Sequence, residues 1–253
     1  MTGLWPLLGK ELREQWRTKR LLVVLVVFAI FGIGSPLLAK YTPDLIRALA
    51  SEQLAEAIPS PTTADAVDQF LKNVGQTGVL AAILLAMGSV ALDKERGIAA
   101  LFLTKPASRG AYLLAKLAAI AVTLLVGVMA ATAAGYGYTA WLFEALPLGG
   151  YLAMGLLLFL QLLVYASLTF LGSTLARSSL VAGAFGIAVL ALIAVVGALP
   201  GIGPYTPGGL STGGRALAIG LPPEQLAGPL LVNLALVAGV FAIAWLAFRR
   251  QEL

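Results

Sequence analysis

Residues 77–116 read TGVLAAILLAMGSVALDKERGIAALFLTKPASRGAYLLAK, and their change of character decides the fold. The first part, 77–92, carries no charge. The middle, 93–110, is the most charged stretch of the chain, and the last part opens a second apolar run that continues to Phe143. A helix rises about 1.5 Å per residue, so roughly 20 apolar residues cross a hydrocarbon core about 30 Å thick. Two such runs joined by a charged connector describe a membrane hairpin. Working outward, the same test finds runs at 21–39, 148–176, 180–199 and 229–248, with the pair around the connector at 77–92 and 112–143. The whole chain agrees with this count. It is 59% hydrophobic and 11% charged, against about 45–50% and about 25% for soluble domains, and its mean hydropathy is +0.92. The expected fold is all-α: one polytopic transmembrane domain over 1–253 with six spans.

Lysine and arginine placement orients the spans, because short cytoplasmic loops are enriched in both. Thirteen of the 17 fall on one side: Lys10, Arg13, Arg17, Lys19, Arg20, Lys94, Arg96, Lys105, Arg109, Lys116, Arg177, Arg249 and Arg250. Lys40, Arg47, Lys72 and Arg215 make up the other side. Both termini are therefore expected in the cytoplasm, with span 1 an uncleaved signal-anchor. The net charge of +5 reflects topology and contact with anionic lipid, not nucleic-acid binding.

The connections carry further signals. Residues 3–20 place Trp5, Leu8, Leu12 and Trp16 on one side, with Lys10, Arg13, Glu14 and Arg17 elsewhere. That pattern suits an amphipathic helix lying in the headgroup plane, either a simple anchor or an elbow that also touches a partner. Residues 40–76 are expected outside as a small helical cap or flap, or else as a passive linker with helical propensity. One helix would start at Thr42-Pro43-Asp44, with proline at its first position, and a second at Thr63 with Asp65 in its first turn. Within 93–110, Gly97 and Pro106 bracket the apolar Ile98–Leu103 run as a surface helix, and Ser108 caps the next helix. Exposed Leu101, Phe102 and Leu103 need a cover, either lipid or a docked protein. Residues 200–228 hold Pro200, Pro204, Pro207, Pro222 and Pro223 among many glycines. They suit a re-entrant or interfacial outer segment, with a short helix at Leu210–Ile219 and Arg215 reaching outward, or else a turn-rich loop. Gly127, Ala131 and Gly135 recur every fourth residue on span 3, a spacing that lets helices approach closely within the chain or between two copies.

Catalysis is largely excluded. The chain has no histidine and no cysteine, which removes His-based triads, thiolate nucleophiles and zinc sites built on either residue. The spans hold no carboxylate of the kind that ion-coupled carriers use. The deep polar groups are little more than Thr123, Thr132, Gln161, Ser167, Thr169 and Asn233. Gly9-Lys10-Glu11 lacks both the loop and the hydroxyl of a phosphate-binding motif. No cofactor is expected on this chain, and energy for any work must come from another polypeptide.

The pattern resembles the ABC-2-type permeases, and most closely the subgroup related to the permease of the nitrous-oxide reductase maturation system. The likeness rests on Lys10-Glu11-Leu12-Arg13 near the start, and on Met87-Gly88-Ser89 leading into Lys94-Glu95-Arg96-Gly97. It continues through Lys105-Pro106-Ala107-Ser108-Arg109 to Leu114-Ala115-Lys116, and Phe70-Leu71-Lys72-Asn73 is also similar. Ile98 stands where threonine is frequent, and Ala107 where valine is. The resemblance implies a transmembrane subunit in the cytoplasmic membrane of a prokaryote. It would pair with a second copy or a paralogue and with separate ATPase subunits that hold ATP and magnesium. Segment 93–109 would be the coupling helix, with Lys94, Glu95, Arg96, Gly97, Leu101, Phe102, Lys105, Pro106, Ser108 and Arg109 at the ATPase. Arg177 would mark a second, smaller contact, and Trp5, Lys10, Glu11, Arg13 and Trp16 an elbow helix. An apolar interior suits a lipophilic or amphipathic substrate moved by alternating access. The alternative is a membrane scaffold that recruits an ATPase without transporting.

Overall fold

The computed structural model describes residues 3–49, 59–97 and 108–251. No strand occurs among the described residues, and six helices are long and apolar enough to cross a membrane. In chain order the helices are α1 (Leu4–Arg17), α2 (Arg20–Leu49), α3 (Thr63–Met87), α4 (Ala91–Glu95), α5 (Arg109–Leu142), α6 (Leu148–Leu175), α7 (Ser179–Gly197), α8 (Pro207–Ala218) and α9 (Ala227–Arg249). A 3-10 turn, Gly203–Tyr205, precedes α8. The spans are α2, α3 with α4, α5, α6, α7 and α9.

Two boundaries differ from the sequence expectation. Thr42-Pro43-Asp44 starts no helix, because α2 runs unbroken through Pro36 and Pro43 to Leu49, about 45 Å. Each proline removes one backbone donor. The residue before each, Ser35 and Thr42, turns its hydroxyl back to the carbonyls of Phe31 (2.6 Å) and Leu38 (2.5 Å). The second outer helix is likewise not separate from span 2. Thr62 and Asp65 close a reciprocal cap at its start, and the helix continues uninterrupted to Met87. Residues 88–90 break it before α4.

With lipid outside, helices gain little from hiding apolar surface and are held instead by close packing. α6 is the most buried span and touches α3, α5, α7, α8 and α9, while α7 and α9 are the least buried. α2 crosses α5 at close range. A Cβ at Gly32 would sit 2.6 Å from the carbonyl oxygen of Ala131, and one at Gly127 would sit 2.8 Å from Val24. Gly135 lies under Phe70 and Tyr151. The small-residue stripe on α5 is thus occupied by this chain's own α2, α3 and α6. A leucine at Gly32 has no room without moving backbone. Gly32→Leu is expected to destabilise the purified protein by about 2 kcal/mol, read as a lower thermal unfolding midpoint in detergent.

The segment between α7 and α9 dips into the bundle. α8 packs antiparallel to the first half of α6, with Gly150 against the Leu217 backbone and Gly214 against Met154. Leu210 joins Leu157 and Leu160 in a small separate core. Ser211 at its lower end hydrogen-bonds Gln161, at the middle of α6. The chain therefore descends to about mid-depth and climbs back along α6. Asn233 of α9 holds the descent, donating to the carbonyls of Tyr205 (3.1 Å) and Pro229 (2.8 Å).

Candidate functional site

Both described ends of the chain lie on one face of the bundle, and the polar groups of that face converge on the corner at 88–97. A helix break at the membrane edge leaves backbone groups that need partners. One side chain supplies three. Ser173 of α6 donates its hydroxyl to the Met87 carbonyl (2.8 Å) and accepts from the amides of Val90 (3.1 Å) and Ala91 (3.0 Å). The short helix α4 is thereby fixed to the end of α6.

The three charged residues of α4 then reach three different directions. Asp93 accepts from the Tyr112 hydroxyl (2.6 Å) and pairs with Lys116 (2.9 Å), both on α5. Lys94 donates to the Thr174 carbonyl at the end of α6 (2.5 Å) and to the side chain of Gln251 beyond α9 (2.6 Å). Its ammonium also stands over the Phe248 ring of α9. Glu95 accepts from the Ser179 amide (2.6 Å) and hydroxyl (3.3 Å) at the start of α7, where a carboxylate also complements the helix dipole. Ser178 supplies the ordinary cap there, accepting from the Val181 amide. One turn of helix is thus bonded to three of the spans and to the residue beyond the end of a fourth.

Lys116 is the centre of a buried ionic knot. Only 5% of the residue is exposed, and it pairs with Asp93 and with Glu11 of α1 (3.3 Å). Two carboxylates around one buried ammonium tie α1, α4 and α5 at a single point. Four residues along, the buried Gln15 of α1 hydrogen-bonds Thr123 of α5. At the α1 surface Lys10 bridges Glu11 (3.1 Å) and Glu14 (3.3 Å). Partial burial opposes the Lys10 charge, but these two carboxylates prevail and hold its pKa above the ordinary value. Trp5 and Trp16 are exposed, so the face of α1 that meets the protein is the Leu7, Glu11 and Gln15 side rather than the tryptophans.

Arg109, just after the Ser108 cap of α5, gathers the end of α9. Its Nη1 donates to the carbonyls of Phe248 (3.1 Å), Arg249 (3.0 Å) and Gln251 (3.1 Å). Of the residues expected to contact an ATPase, Lys94, Glu95, Ser108, Arg109 and Arg177 therefore surround one corner. Arg96 and Gly97 close α4 on the exposed surface, with Gly97 in the left-handed region at φ +67 that favours glycine. Leu101, Phe102, Lys105 and Pro106 lie outside the described residues, as does the surface helix expected at 98–103.

On the opposite face, Arg215 of α8 pairs with Asp68 of α3. The hydrogen bond to that carboxylate raises the Arg215 pKa above its ordinary value. An open cavity of about 920 Å³ separates the end of α7 from α8, with Arg215 and Glu224 among its lining. In the interior, Thr132, Ser167 and Thr169 spend their hydroxyls on backbone carbonyls of their own helices. Sequence reasoning did not single out Ser173, Gln15, Tyr112 or Gln251. Each acts on a residue many positions away, and nothing local marks it.

These features describe a helical membrane protein of six spans, with its ionised side chains gathered near the span ends and a charged corner bonded to most of the bundle. Residues 5–209 match the family described as ABC-2 family transporter protein, and the chain belongs to that family. It is also 27% identical over 199 residues to the uncharacterized transmembrane protein YxlG of Bacillus subtilis (strain 168), with 76% of each chain covered. Family membership makes it a multi-pass permease subunit of an ATP-binding-cassette transporter, a non-catalytic type of subunit whose partner is an ATPase.

Proposed function

We propose that the chain is the membrane half of a prokaryotic exporter, driven by a separate ATPase docked on the face that carries α1, α4 and residue 251. The observation that carries this reading is the α4 corner. Its consecutive residues Asp93, Lys94 and Glu95 are bonded to α5, α6 and α7, with Gln251 beyond α9. A partner that pushes on this turn moves those helices together, which is what alternating access requires. The corner and the start of α7 around Arg177 would form the docking surface, and α1 the elbow in the headgroup plane. ATP and magnesium stay with the ATPase. A second copy or a paralogue completes the pathway, against the sparsely buried α7 or α2. The apolar interior favours a lipophilic or amphipathic cargo.

Docking on that face requires it to be cytoplasmic, with both termini inside. The native sequence has no cysteine, so single cysteines report the side directly. In intact cells, a cysteine at Ser60 is expected to react with a membrane-impermeant maleimide. Cysteines at Ser108 and Ser178 should react only after permeabilisation. Labelling of Ser108 in intact cells would reverse the orientation and remove the docking face.

A further inference from the structure

A second cavity, of about 480 Å³, opens on the face of the described termini between the start of α1, the start of α5 and the end of α9. Its walls are mainly apolar, from Leu4, Leu114 and Phe241. Its charged side chains are Arg109 and Arg249, and no carboxylate lines it. Arg249 stacks over the Trp245 ring at 4.9 Å and has no acidic partner among the described residues. The Arg109 bonds to the α9 end all use Nη1, which leaves Nη2 and Nε open to a ligand among the described residues. The Trp245 indole N–H takes no acceptor there either. The first turn of α5 lines the same cavity and adds the positive end of a 34-residue helix.

We propose that this cavity binds one anionic phospholipid from the adjacent leaflet. Cationic side chains without a counter-charge, set around an apolar floor, select a molecule that is anionic at one end and apolar at the other. The depth fits as well. Trp245 sits one turn from the end of α9, where an amphipathic indole belongs at the headgroup level. Below it on the same face of α9, Phe241 lines the cavity and Leu234, two turns deeper, is exposed, so acyl chains continue from Phe241 into the bilayer without leaving apolar surface. A soluble phosphate would meet the arginines and leave that floor uncovered. The lipid phosphate would bridge Arg249 and Arg109, and so fasten the end of α9 to the start of α5.

Native mass spectrometry of the full chain in detergent tests this, with dioleoylphosphatidylglycerol and dioleoylphosphatidylcholine as probes. The wild type should retain one phosphatidylglycerol in clear preference to phosphatidylcholine. Arg249→Gln should weaken that retention about fivefold, the worth of one basic residue against an anionic lipid surface. Arg250→Gln removes the same charge from the neighbouring residue, which does not line the cavity, and should leave it unchanged. Trp245→Ala, which empties part of the floor, should also weaken it. Equal retention of the two lipids would overturn the proposal, and so would equal losses in Arg249→Gln and Arg250→Gln. Either is the result expected if a docked protein fills the cavity instead.

Discussion

Replacing Lys116 by methionine is expected to cost more stability than any other single change at the corner, about 3–5 kcal/mol. The reason lies in what remains. Glu11 and Asp93 face the same buried ammonium, and among the described residues Glu11 is otherwise bonded only to Lys10 at the surface. Without Lys116 two carboxylates would share a largely desolvated site with no charge between them. Methionine fills similar volume, so the effect reads electrostatics rather than a cavity. In the purified protein Lys116→Met should lower the thermal midpoint sharply and shift much of the material to aggregate on size exclusion. Adding Glu11→Gln and Asp93→Asn should recover most of the loss, because a neutral hydrogen-bonded set avoids the unpaired charges. A single variant as stable as the wild type would show that α1 is not held through this knot.

Glu95→Ala is expected to do the opposite, sparing the fold and removing the coupling. Glu95 is exposed, and its bonds to Ser179 stabilise one helix start that Ser178 also caps. Its loss therefore costs only about 1 kcal/mol. It is, however, the contact through which α4 grips α7. With that contact gone, movement of the corner no longer carries α7 or the re-entrant segment that follows. The transporter reconstituted with its ATPase should still hydrolyse ATP at close to the wild-type rate. The nucleotide-driven change in reactivity of a cysteine at Ser211 should fall about tenfold, within the range typical of coupling between distant sites. Arg109→Ala should act similarly by releasing the end of α9 from α5. An unchanged response at Ser211 in both variants would place the coupling elsewhere.

The spans were legible because lipid imposes length and apolarity on every crossing, whatever the neighbours do. The ends of the helices were less so. Pro36 and Pro43 are breakers by local rule, yet α2 passes both, with the Ser35 and Thr42 hydroxyls bonded back to the helix backbone beside them. Thr63 and Asp65 signalled a helix start that the structure has, with Thr62 as its cap, but not that this helix is continuous with the next span. The stripe of Gly127, Ala131 and Gly135 announced close packing, while its partners Gly32, Val24 and Phe70 are visible only in three dimensions. The corner divides in the same way. The charges at 93–97 stood out as a run. The Ser173 hydroxyl that completes the broken backbone looked like any small polar residue of an apolar helix.

The central claim is that this permease takes its energy from an ATPase bound at the face of α1 and α4. Affinity purification of the full chain from its native membranes, in mild detergent, tests it most directly. The account predicts that a P-loop ATPase co-purifies in about equal amount and cross-links to a photoreactive residue at Arg96. It predicts no cross-link from the same residue placed at Ser60 on the opposite face. Recovery of the chain without any P-loop ATPase, or cross-linking from Ser60 instead of Arg96, would contradict it.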